Sequence, residues 1–212
     1  MITIKTFVFN SFQENTYIVF DETNSCVIID PGMNTEVEEK ELHDYISEHK
    51  LIPEAIVNTH CHVDHVLGCN CVKNTYEVPF YAHESEKILI DGAKAFAEFF
   101  GMKIEQPLHP DYYLQDGSRF TFGESELEIL HVPGHSPGSL VFFSKTANIA
   151  ITGDVLFKGS IGRTDLPGGN LNLLIDGIKS KLLTLPPEVA VFPGHGPHTT
   201  IGHEHDTNPF LK

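Results

Sequence analysis

At 212 residues the chain is sized for one domain, given a prior of roughly 150 residues per domain. Such a chain buries enough surface to build a core without disulfides. With 41% hydrophobic and 20% charged residues, collagen-like and disordered readings are excluded. Fourteen Lys and Arg against 29 Asp and Glu leave a net charge of −15, which opposes polyphosphate ligands. Only two arginines, Arg119 and Arg163, could offer fork-like phosphate contacts, so no nucleic-acid partner is expected. The thirteen histidines ask for an explanation.

The first residues alternate apolar and polar, unlike the unbroken apolar run of a signal peptide. No stretch approaches the roughly 18 apolar residues of a membrane span. Cys26, Cys61, Cys69 and Cys71 form no CxxC pair and no disulfide framework, so a reduced, cytoplasmic protein is expected.

In chain order, strands are predicted at 2–9, 16–21 and 26–30. A helix at 35–49 opens on a Thr35/Glu38 capping box, with Leu42, Tyr45, Ile46 and His49 at helical spacing. A buried strand at 55–59 leads into a histidine-rich turn and a short helix near 64–74. A second helix, 85–100, presents Leu89, Ala93, Phe96 and Phe100 on one face and stops at Gly101. Strands follow at 119–122, 126–132, 139–144, 148–152 and 189–192. Between the last two, a helix at 171–185 aligns Leu171, Leu174, Ile178, Leu182 and Leu185 before Pro186-Pro187. Two strand groups, each with helices, imply two sheets packed together with helices outside.

The stretch Thr59-His60-Cys61-His62-Val63-Asp64-His65 directly follows an apolar strand. Three imidazoles and a carboxylate within six positions suit a divalent ion, because a tight turn lets them converge. A lone HxH could equally be a solvated loop; the full HxHxDH string after a strand favours ligands. Three further places share one local pattern: Val132-Pro133-Gly134-His135, Ile151-Thr152-Gly153-Asp154 and Phe192-Pro193-Gly194-His195. In each, a strand ends at glycine, which permits a sharp turn, and the next residue is a potential ligand.

Together with Asp30 in Ile-Ile-Asp-Pro-Gly, these motifs resemble the metallo-β-lactamase superfamily of hydrolases over nearly the whole chain. Segments 157–169 and 199–211 look like its glyoxalase II, or hydroxyacylglutathione hydrolase, branch, especially short single-domain relatives. The resemblance implies an α/β fold, a four-layer αββα sandwich, with 1–212 as a single hydrolase domain. It implies two divalent metal ions, zinc in the first place and iron or manganese as alternatives. His60, His62 and His135 would hold one ion, and Asp64, His65 and His195 the other, with Asp154 bridging. Asp64 and Asp154 would be catalytic, and Asp30 would support a ligand from behind. For Asp30 a plain turn role before Pro31-Gly32 stays equally open.

Two close cations can share a water, lower its pKa towards 7 and polarise a carbonyl, so hydroxide attack on a small thioester is the expected chemistry. A thiol of pKa about 8.5 also leaves readily. Cys61 is expected to point away from its neighbours and pack, and Cys69 and Cys71 to be structural. His198, His203 and His205 read as surface or pocket residues rather than a metal patch. Arg163 either meets a substrate carboxylate or ties its loop to Asp165, and the loop tie is preferred.

Full-length glyoxalase II enzymes carry an added helical domain that contacts glutathione. After His195 only 17 residues follow, with Lys212 the sole lysine or arginine, so low preference for the glutathione moiety is expected. The competing function is a mononuclear iron persulfide dioxygenase, which shares much of the framework but needs only two histidines and a carboxylate. Nuclease activity fits poorly with the −15 charge. β-Lactam hydrolysis fits poorly with the lack of an export signal.

Overall fold

A computed structural model describes residues 1–99, 101, 102, 104 and 108–212. The first sheet takes β1 (Thr3–Phe9), β2 (Glu14–Phe20), β3 (Ser25–Ile29), β4 (Ile52–Val57), β5 (Phe80–Ala82) and β6 (Tyr112–Tyr113), in that order. β1 to β3 run antiparallel as a meander, and β3 to β6 are parallel neighbours. The parallel pairs require crossovers. Those around β4 and β5 are α1 (Glu36–Glu48) and α2 (Cys69–Tyr76), and α3 (Lys87–Phe99) follows β5.

The second sheet uses β7 (Arg119–Phe122), β8 (Ser125–His131), β9 (Leu140–Ser144) and β10 (Ile149–Gly153). A small hairpin, β11 (Leu156–Phe157) and β12 (Ser160–Ile161), comes next. α4 (Leu171–Gly177), β13 (Ala190–Pro193), β14 (Thr199–Thr200) and α5 (Ile201–Thr207) complete the chain. The sheet order is β14-β13-β10-β9-β8-β7, with β10 and β13 parallel.

Alternation along the central strands explains why the layers number four. On β2, Ile18 joins the core beneath α1–α3, while Tyr17 and Val19 join the core between the sheets. On β3, Cys26 and Ile28 face the helices, and Val27 and Ile29 face the other sheet. On β9, Leu140 and Phe142 meet that inter-sheet core, whereas Val141 and Phe143 pack with Leu174 and Ile201 of α4 and α5. Strands buried on both faces read as unbroken apolar runs. Three cores between four layers make the αββα sandwich that the sequence led us to expect.

The Thr35/Glu38 capping box is present, and α1 buries Leu42 and Ile46. Two helices differ from expectation. α3 buries Ile90, Ala93 and Ala97 rather than Leu89 and Phe96. Small residues let this helix lie close to its neighbours, which turns the larger Leu89 and Phe96 onto its shoulder. Phe100 lies outside the described residues. The predicted helix 171–185 is α4 followed by a π-helical turn, Ile178–Leu182. That wider turn keeps Leu174, Ile178 and Leu182 buried at intervals of four, while Leu171 is exposed. Among the described residues no helix is long and apolar enough to cross a membrane.

Candidate metal centre

Parallel pairing within each sheet sets several strand ends on one rim, where side chains from distant sequence positions can meet. Asp30 follows β3, His60 follows β4, Asp154 follows β10, and Gly194-His195 follows β13. Past β4 the chain enters a single 3₁₀ turn, Val63–His65, which swings Asp64 and His65 inward. Glycine is needed at two of these corners for different reasons. Gly153 has φ of +48°, where side-chained residues are strained. A Cβ on Gly194 would collide with the Asp154 carboxylate and the His65 ring.

One group consists of His60, His62 and His135, and another of Asp64, His65 and His195; within each, ligand atoms lie within 4.8 Å of one another. Asp154 stands between them. Its Oδ2 is 4.0 Å from His60 Nε2 and 3.5 Å from His135 Nε2, and its Oδ1 is 3.6 Å from His65 Nε2. His195 Nε2 lies 3.2 Å from Asp64 Oδ2 and 3.6 Å from Asp154 Oδ2. All seven residues named as ligands in the sequence are thus brought to one place.

The partners of the outer ring nitrogens fix which nitrogens face inward. His135 Nδ1 lies 2.8 Å from the Arg163 carbonyl and His195 Nδ1 lies 3.1 Å from that of Phe12. A carbonyl only accepts, so both Nδ1 atoms carry the proton and both Nε2 atoms present lone pairs. Thr59 Oγ1 donates to Asp30 and is 3.1 Å from His60 Nδ1, so it accepts the His60 proton. His60 and His135 therefore turn two bare Nε2 lone pairs toward each other at 3.2 Å. His62 Nδ1 adds a third nitrogen, 2.9 Å from His135 Nε2. Facing lone pairs repel unless a cation lies between them. The buried His65 Nε2 and Asp154 Oδ1, 3.6 Å apart, also lack any hydrogen-bond partner. The donor set and these orphaned atoms fit divalent metal.

Electrostatics separate the two groups. Burial, reinforced by neighbouring imidazoles, holds His60 well below the usual imidazole range. Burial and His135 push His62 down to about 3. Burial also depresses His65, but Asp64, Asp154 and Asp30 outweigh it and raise that ring well above normal. Burial opposes ionisation of Asp64, yet His65 and His195 hold its carboxyl well below the usual range. One group favours neutral imidazole, as nitrogen ligands require, and the other pairs anionic carboxylates with imidazole.

Asp30 is buried and adopts φ of +50°. Its Oδ1 accepts from the Thr59 amide, and its Oδ2 serves both Thr59 Oγ1 and His65 Nδ1. It does more than form a turn. Arg163 ties its loop to Asp165, the role preferred for it, and its backbone adds a contact that the sequence does not foretell. The exposed guanidinium makes two 2.8 Å bonds to Asp165, and only the backbone carbonyl reaches the site, at His135. Cys61 is fully buried in the helix-side core. His203 and His205 are exposed, and among the described residues they join no group able to hold a metal.

Near the site, two buried carboxyls among the described residues escaped the sequence reading. Glu86 accepts from Cys61 N, Ser136 Oγ and Gly138 N, and so ties the His60–His65 turn to the His135 turn. In sequence it belongs to an acidic helix start and resembles a solvated residue. Glu14 lies 3.8 Å from His65 Nδ1, and burial pushes its carboxyl well above the usual range. Nothing in the local sequence marks it.

Fold and site together define a metal-dependent hydrolase. Residues 10–195 match the profile of the Metallo-beta-lactamase superfamily, and the chain belongs to that superfamily. It is 40% identical to "Probable metallo-hydrolase YqgX" of Bacillus subtilis, over 94% of this chain and 93% of that protein. It is 37% identical to "Hydroxyacylglutathione hydrolase GloC" of Haemophilus influenzae, over 95% and 94%. Among solved structures, BLEG-1 B3 metallo-beta-lactamase superposes with a TM-score of 0.91 at 36% identity, covering 99% of this chain and 100% of that one. TTHA1623 in a di-iron-bound form gives 0.87 at 41% identity, with the same coverage.

Proposed function

We propose that the protein is a dinuclear thioesterase of glyoxalase II type that hydrolyses small hydroxyacyl thioesters. The observation that carries this reading is Asp154, whose two oxygens face two complete ligand groups. His60, His62 and His135 would hold one ion, Asp64, His65 and His195 the other, and Asp154 would serve both. Zinc is the proposed ion, with iron the competitor, since a similar protein is known in di-iron form. When bound, such ions lower the pKa of water and polarise a carbonyl.

The chain's own part is to place and charge the groups around that chemistry. Asp64 would accept a hydrogen bond from the attacking water and orient it. Thr59, Asp30 and the Arg163 carbonyl hold the imidazoles in one tautomer, so their lone pairs need no reorganisation. The similarity to GloC supports a thioester substrate. The likeness to BLEG-1 makes β-lactam hydrolysis an activity to test. A mononuclear dioxygenase is disfavoured because the Asp64–His65–His195 group converges fully.

The test joins metal analysis of freshly purified protein with a thioester panel, a chromogenic β-lactam, and oxygen uptake with a persulfide. Two ions per chain with thiol release from lactoyl thioesters is the expected outcome. One iron with oxygen uptake and no thiol release would overturn it, as would hydrolysis confined to the β-lactam.

A further inference from the structure

A cavity of about 160 Å³ opens beside the metal centre, between α3 and the loop after Thr164. His62 is part of its wall, which makes the cavity continuous with the first ligand group. The rest of the wall includes Leu89, Gly92, Ala93, Phe96 and Leu166, and among the described residues no charged side chain lines it. Apolar walls of this kind cannot repay the desolvation of a hydroxyl or carboxylate. They do suit a compact hydrocarbon group, since a dry cavity of about 150 Å³ holds a benzene ring.

Gly92 gives the cavity its width. It sits inside α3, where glycine weakens a helix, and an added Cβ would meet nothing within 4 Å. Packing therefore does not demand glycine here. A larger residue would fit the helix and fill the cavity instead.

We infer that this cavity is a specificity pocket for an apolar substituent of the substrate, of about four to six carbons, carried next to the scissile carbonyl. The inference rests on the thioester reading above and narrows its substrate class. The substituent belongs either to the acyl part or to the thiol part, and two substrate series tell them apart.

The first series varies acyl length (acetyl, butanoyl, hexanoyl) on N-acetylcysteamine. The second varies the thiol (ethane-, butane-, hexanethiol) on acetyl. In one series kcat/KM should climb by roughly fourfold per methylene until the pocket is full. Gly92→Leu should flatten that climb while metal content stays at the wild-type level. Leu89→Asn, which places an amide on the wall, should also reduce it. Independently, zinc-loaded protein titrated with benzene should show shifts of the Gly92 and Ala93 amide resonances, lost in Gly92→Leu. No length dependence in either series, or a slope indifferent to Gly92→Leu, would overturn the pocket. If no thioester is cleaved at all, the thioester reading falls and the benzene titration alone decides the pocket: absence of the Gly92 and Ala93 shifts overturns it.

Discussion

Asp30 Oδ2 lies 3.1 Å from His65 Nδ1, and both side chains are buried. The carboxylate is presented from a left-handed backbone and is braced by two bonds from Thr59. It fixes the His65 proton on Nδ1 and leaves Nε2 for the site. Asp30→Asn keeps the volume but weakens this acceptor. We expect metal affinity at the Asp64–His65–His195 group to fall roughly 10- to 100-fold with the fold intact. Competition with a chelator measures it, and wild-type affinity would mean the ring is held some other way.

Asp154 and His195 should behave differently when removed. Asp154 faces His60 and His135 on one side and His65 on the other. His195 is close to Asp64 and belongs to one group only. Asp154→Ala should lower occupancy of both ions, whereas His195→Ala should chiefly lower the second. Elemental analysis after dialysis reads the stoichiometry directly. Two tightly held ions in Asp154→Ala would show that the carboxylate is not shared.

Glu86 tests whether the site's loops are tied together from beneath. Its loss strands the Cys61 and Gly138 amides in a buried space, while the Ser136 hydroxyl keeps Ser139 Oγ as a partner. At about 1–3 kcal/mol per unsatisfied group, Glu86→Ala should destabilise the protein by about 2 kcal/mol or more. Glu86→Gln, which still accepts on one side, should cost less. Urea unfolding supplies the values, and a loss under 1 kcal/mol would show that the loops hold without it. Metal content should fall alongside stability in the alanine variant.

His83 carries a pH signature away from the metal ligands. Burial, followed by the stacked His131 ring at 4.1 Å, pulls its pKa down from 6.5 to about 4, against the weaker pull of Asp116. Its neutral Nδ1 accepts the Ser85 amide at the start of the next turn. The unfolded chain thus protonates first as pH drops. The contribution is whole above about pH 6.5, falls between pH 6.5 and 4, and is constant below. The stability difference between wild type and His83→Gln should therefore shrink from pH 7 to pH 4.5. Equal differences at the two pH values would contradict the shift.

Much of the site is legible in the linear chain because each ligand follows a strand end. HxHxDH at 60–65 and the glycine-led His135, Asp154 and His195 carry their chemistry and their turns together. The two groups of strands, each with its helices, likewise foretell two sheets packed together with helices outside. Local sequence encodes these features because hydrophobic period, turn geometry and ligand type are properties of a few neighbouring residues.

Other features depend on contacts between residues far apart in the chain, which local pattern cannot register. Glu86 reads as one more surface acid until folding places it 2.7 Å from Cys61 N and from Ser136 Oγ, 25 and 50 residues away. Arg163 attracts attention for its guanidinium, yet its carbonyl is what orients His135. The buried face of α3 runs through Ile90, Ala93 and Ala97 rather than Leu89 and Phe96, since the close fit of the alanines decides which larger residues turn outward. Amino-acid order determined the ligands and the layers. Tertiary packing decided the tautomers and the cavity, because each arises only where separate strand ends and a helix flank converge.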